Sequence, residues 1–307
     1  MTWRAGTSLP IPEWEVMDAT APAEHDVPAY ERYWTHAAGS WLQTLGEALG
    51  DRYRVDESED FLLLSCLGPR EVEVFLAFCQ ATRRRIVRNL GDLAVPRSGG
   101  KHVVLVLADQ DTYYDYVAHY MPQGGEFAMS SGMFVQAGYG HFVLTEDDAD
   151  RMQPVIAHEL AHCLLSHLPI PAWLNEGMAV HTEHALFAHL AHPGALLYFP
   201  HEMPQRHRAF WNADRIQEFW SGKSFLRADE GNELSYDLAK TLTTLAVRDE
   251  AAFRAFVAHA DMRDGGLSAE HHLGYPIHHL VQAVLGEGDW LPNPARWHDG
   301  IERGQFA

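Results

Sequence analysis

Cysteine is scarce in this chain. Cys66, Cys79 and Cys163 are the only three in 307 residues, and they stand far apart. The number is odd and no Cys-x-x-Cys pair occurs, which argues against a zinc ribbon or a disulfide framework and fits a reducing compartment. Each thiol is expected to act as a small buried apolar group. Basic residues are also few, 23 Lys and Arg against 42 Asp and Glu, for a formal charge of −19. A surface so acidic repels phosphate backbones and anionic headgroups, so neither nucleic acid nor a membrane is an expected partner. No apolar run reaches the roughly 18 residues of a membrane-spanning helix. The first residues hold no apolar stretch of signal-peptide length either, and the expectation is a soluble, cytoplasmic protein. No internal repeat or low-complexity segment is found.

What remains has the composition of a globular protein, 47% hydrophobic and 21% charged, with length for one large domain or two modest ones. Residues 1–28 contain Pro10, Pro12, Pro22 and Pro28 and are expected to form an extended arm. Tyr33, Trp34, Ala37, Trp41, Leu42, Leu45 and Leu49 recur at helical spacing. Phe61–Leu67 and His102–Ala108 read as strands, with a helix over 71–90 between them. In that helix the Arg83-Arg84-Arg85 run is expected on a solvated face. A short aromatic helix over 111–121 comes next. Met133–Leu144 then reads as one or two strands, with Gly138 and Gly140 marking a turn or bulge. Beyond residue 150 the pattern is mostly helical, over 151–168, 171–190, 212–220, 231–247, 250–260 and 268–286. Strands first and helices after predict an α+β class, a mixed sheet followed by a helical half.

The chemistry centres on His158-Glu159-Leu160-Ala161-His162. Residues i and i+4 share one helix face, so two imidazoles at that spacing can bind one ion. Glu159 lies about 100° round the helix from His158, where its carboxylate reaches a water without displacing a ligand. With 20 His and 22 Glu in the chain, chance alone places this pentapeptide in roughly one such sequence in ten, so its surroundings matter. Pro154-Val155-Ile156-Ala157 precedes it and Cys163-Leu164-Leu165 follows. Charged groups inside an apolar helix need a reason to be there. Pro154 suits a first turn, Pro169 ends the helix, and Pro171 opens another that carries Glu176.

The segment Trp173-Leu174-Asn175-Glu176-Gly177-Met178-Ala179 closely resembles the corresponding stretch of gluzincin peptidases, the group of zinc aminopeptidases and the broader peptidase-MA-like proteins. The likeness is tight over about twenty residues and looser over 100–285. It implies a zincin-like, thermolysin-like catalytic domain over 29–290, its strand-containing half 29–150 and its helical half 151–290, with 291–307 as a C-terminal tail. It also implies that Glu176 is the third ligand, beside His158 and His162, to one Zn(2+) ion. Thirteen residues separate His162 from Glu176, as in the shorter peptidase-MA-like members and fewer than in zinc aminopeptidases. Tyr236, at the start of an apolar helix, is the candidate oxyanion donor; its alternative is a core tyrosine.

Asn175 is a candidate to orient a neighbouring group, and Glu183, seven residues past Glu176, to bond a ligand His. His181 with His184, His271 with His272 and His278 with His279 read as surface or packing histidines. His167 points elsewhere on its helix. The expected activity is a zinc-dependent metallopeptidase, with Glu159 as general base and a peptide or protein as substrate. A zincin-fold binding module and a zinc hydrolase of a non-peptide amide are the alternatives, and oligomeric state is left open. Zinc aminopeptidases anchor the substrate amine with the Glu of a Gly-x-Met-Glu-Asn motif. Here Ser131-Gly132-Met133-Phe134-Val135-Gln136 stands in its place. A buried amine needs a partner, so no preference for free N-termini is expected unless Glu126 replaces the anchor.

Overall fold

The computed structural model describes residues 1–94, 99–120, 132–147, 149–187 and 201–297. The chain is α+β and packs as two compact units, Met1–Leu164 and a second that begins at Leu165. Among the described residues no helix is long and apolar enough to cross a membrane.

The first unit runs α1 (Trp14–Asp18), α2 (Val27–Leu49), β1 (Arg54–Glu57), β2 (Phe61–Ser65), α3 (Pro69–Leu90), β3 (His102–Leu107), α4 (Gln110–Val117), β4 (Gly132–Val135), β5 (His141–Thr145) and α5 (Ala149–Leu165). Its sheet has the order β1-β2-β3-β5-β4. The three inner strands are parallel, with Phe61 opposite His102 and Val104 opposite Phe142. Both edge strands are antiparallel, β1 to β2 and β4 to β5. A central parallel strand is covered on both faces, so Val103 to Leu107 are all buried and read as a continuous apolar run. The polar strand β1 has no such signature and escapes the sequence reading.

The arm expected to be extended is only partly so. Trp3 bridges Pro12, Trp14–Asp18 is a helical turn, and Pro28 falls in the first turn of α2, where its missing N–H is harmless. Trp14 is buried and packs edge-on to Trp41, centroids 5.3 Å apart, and against Tyr139 at 5.7 Å. Gly138 makes this possible. Its φ is +68°, and a Cβ there would lie 1.8 Å from Trp14 Cδ1. Arg83 also departs from expectation. It is folded in against Asp60 (3.4 Å) and donates from Nε to His102 Nε2 (3.2 Å).

The second unit holds α6 (Ala172–Phe187), α7 (Met203–Phe210), α8 (Arg215–Trp220), α9 (Gly231–Ala246), α10 (Glu250–His259) and α11 (His278–Leu285). Its core centres on Trp173, whose ring meets Trp220 edge-on at 5.7 Å and whose Nε1–H donates to the Gly265 carbonyl at 3.0 Å. The helix α7 was not expected. The single helix expected over 268–286 is instead a 3-10 turn, Leu267–His272, followed by α11. Gly274, at φ +77°, and Pro276 separate them.

Candidate metal centre

The helix α5 begins earlier than its proline suggested. Pro154 is its sixth residue, beyond the first turn. His158 is half-buried and His162 buried, with ring centroids 4.7 Å apart at 77°. This is the one-face pairing expected of i and i+4. Glu159, between them in sequence, is 8% exposed.

One residue beyond His162, Cys163 places its Sγ 3.5 Å from His102 Nδ1. Because Arg83 donates to Nε2 of that ring, the imidazole proton belongs on Nδ1 and points to the sulfur. The Cys163 thiol was expected to be merely apolar packing. It also ties α5 to β3 through this bond. Burial, and secondarily the Arg83 cation, pushes the His102 pKa down to about 3, so the ring stays neutral.

Val155 lies on the same α5 face as His158 and His162, at i+3 and i+7. The edge strand β4 comes very close to it. A Cβ on Gly132 would sit 2.5 Å from Val155 Cγ1 and 2.4 Å from Leu144 Cδ2, so only glycine lets the strand approach the helix.

Glu176 stands in the first two turns of α6, where the Pro171 carbonyl accepts the N–H groups of Leu174 and Asn175, both at 3.0 Å. The next residue, Gly177, lies against α9. A Cβ there would be 2.2 Å from Thr243 Oγ1 and 2.6 Å from the Ala239 carbonyl oxygen. Sequence reasoning overlooked both glycines. A glycine inside a helix costs about 1 kcal/mol relative to alanine and so signals a packing reason.

His158, His162 and Glu176 each offer one ligand atom, and these atoms lie within 4.8 Å of one another. Ligand atoms of a tetrahedral ion bound at about 2.1 Å stand roughly 3.4 Å apart, a spacing of the same order. The three residues can therefore hold a metal ion. Among the described residues no other group of three His, Cys, Asp or Glu side chains does so.

His181 and His184 are on α6, with pKa values lowered first by burial and then by Lys240. His272 stacks on His259 at 4.4 Å and touches His271 at 4.0 Å. Glu183 is on α6, half-buried. Tyr236 is on α9, half-buried, its ring edge-on to Phe225 at 5.2 Å. Glu126 and Ser131 lie outside the described residues. No protein-family model matches the chain, and no curated protein matches it.

Proposed function

We propose that the chain is a zinc-dependent metallopeptidase of the gluzincin kind, with a zincin-like catalytic fold. The observation that carries this reading is the approach of the His158, His162 and Glu176 ligand atoms to within 4.8 Å, with the Glu159 carboxylate buried on the same helix. Two imidazoles and a carboxylate are a donor set suited to catalytic zinc, which keeps a fourth position for water. When bound, zinc supplies a Lewis acid for the scissile carbonyl and lowers the pKa of water toward about 7.

The remaining work falls to the chain itself. Glu159 takes the proton of the attacking water on a carboxylate oxygen and passes it to the leaving amide nitrogen. It stands about 100° round the helix from His158 and about 60° from His162, off the face that the two rings share. As the last strand in the order of the sheet, β4 is the candidate to pair with an extended peptide, and Gly132 keeps this strand close to the histidine-bearing face of α5. Tyr236 is the candidate donor to the developing oxyanion, a contribution of about 3 kcal/mol where such donors have been removed.

Metal content and hydrolysis of an unstructured protein test the reading together. The purified chain is expected to carry one zinc, His162→Ala to lose it, and Glu159→Gln to keep it while hydrolysis falls at least about 100-fold. Equal turnover by Glu159→Gln, or no hydrolysis by the zinc-loaded chain, would refute the assignment.

A further inference from the structure

We infer that the first unit carries a second binding surface, a cleft between α3 and α5 that takes a basic polypeptide segment flanked by apolar side chains. This inference goes beyond the hydrolase reading and does not depend on it. The cleft encloses about 600 Å³, within the range of ligand sites. It lies at the carboxyl ends of β2, β3 and β5, which lead into Leu67, Ala108 and Glu146 on its wall. Sheets with parallel inner strands present their ligand crevices at that end. On α5 the cleft is lined by Met152, Gln153 and Ile156, the last about 200° round the helix from His158 and about 120° from His162.

Two features select the occupant. The wall is apolar, built by Val74, Phe75 and Phe78 of α3 with Ile156 opposite. Val74 is 59% exposed, so apolar surface is left in water at the rim. The rim itself is acidic, with Glu71, Glu146 and Asp147 against the single Arg70. Glu71 accepts the Gly68 N–H at 2.7 Å, and Asp147 is paired with Arg151 at 3.4 Å. Glu146 is exposed, and among the described residues only its backbone N–H is hydrogen-bonded, to the Leu107 carbonyl. Its carboxylate is thus available to a guanidinium or ammonium group at the mouth of an apolar trough. The same acidity opposes a second copy of this chain, whose own formal charge is −19.

The experiment measures binding of a fluorescein-labelled, acetylated octapeptide of alternating leucine and arginine to the Glu159→Gln chain, with and without zinc. Leucine–glutamate and glycine–arginine octapeptides serve as comparisons. The leucine–arginine peptide should bind tightest, equally in both metal states. Glu146→Lys and Val74→Ser, both at exposed positions, should each weaken it at least about fivefold. Glu47→Lys, an equal charge change on the exposed side of α2, should leave it unchanged. An equal loss from Glu47→Lys and Glu146→Lys would reduce the effect to net charge and overturn the proposal. So would unaltered binding by Val74→Ser, equally tight binding of either comparison peptide, or no binding of the leucine–arginine peptide. Dimerisation of the chain in sedimentation velocity, abolished by Val74→Ser, would identify a second copy as the occupant and overturn it too. Since no outcome is read from turnover, failure of the hydrolase reading remains distinguishable.

Discussion

Replacing Gly177 by alanine should destabilise the second unit, although alanine is the better helix former. In an unobstructed helix the change stabilises by about 1 kcal/mol. At Gly177 the added methyl would stand 2.6 Å from the Ala239 carbonyl oxygen and 3.0 Å from its carbon, as well as 2.2 Å from Thr243 Oγ1. The hydroxyl can rotate away, but the backbone of α9 cannot. Restoring ordinary contact with that oxygen moves α6 outward by about 0.8 Å, and overpacking of this kind costs roughly 1–3 kcal/mol. The net expectation is a loss of about 1–2 kcal/mol. Glu176 is the adjacent residue and moves with the helix, while ligand distances tolerate only about 0.2 Å. Metal affinity should therefore fall together with stability. Gly39→Ala on α2 is the control, because no atom lies within 4 Å of its added carbon. It should stabilise by about 0.5–1 kcal/mol. Urea denaturation of both variants, with zinc competition against a chromophoric chelator, decides the matter. A Gly177→Ala protein as stable as Gly39→Ala, or one with unaltered zinc affinity, would refute the reasoning.

A matched pair of peptides, one with a free N-terminus and one acetylated, should be cleaved at similar rates; a strong preference for the free amine that disappears in Glu126→Gln would instead identify an aminopeptidase. The metal-free protein should also weaken in mild acid. His141 is fully buried, with Nδ1 donating to the Tyr139 carbonyl and Nε2 accepting from Tyr116 Oη, both at 2.7 Å. Burial lowers its pKa to about 4, below the unfolded value near 6.5, so the unfolded chain binds the extra proton between these limits. Its contribution is complete above about pH 6.5 and lost as the pH falls toward 4, on the order of 2 kcal/mol between pH 7 and pH 5. Denaturant midpoints that match at these two pH values would contradict this.

Local order in the chain was enough to place the ligand helix and most of the sheet. The spacing of His158 and His162 needs only the helical repeat to bring both rings to one face, and the β-branched run of β3 needs only burial on both sides to be read as a strand. Glu176 was singled out by its segment's resemblance to the gluzincins and by a carboxylate standing in an apolar helix. The packing of its helix α6 against α9, by contrast, joins residues distant in sequence. The same holds for the polar edge strand β1, which is stabilised by pairing with β2 rather than by any pattern of its own. Arg83 shows the limit clearly. An Arg-Arg-Arg run reads as a solvated face, yet one of the three turns inward because Asp60 and His102 are brought beside it. Gly132 and Gly177 were visible as letters, but what they permit is the contact of β4 with α5 and of α6 with α9. The absence of a side chain acquires meaning only when a second element occupies the space it leaves, and that occupation is a property of the tertiary structure alone.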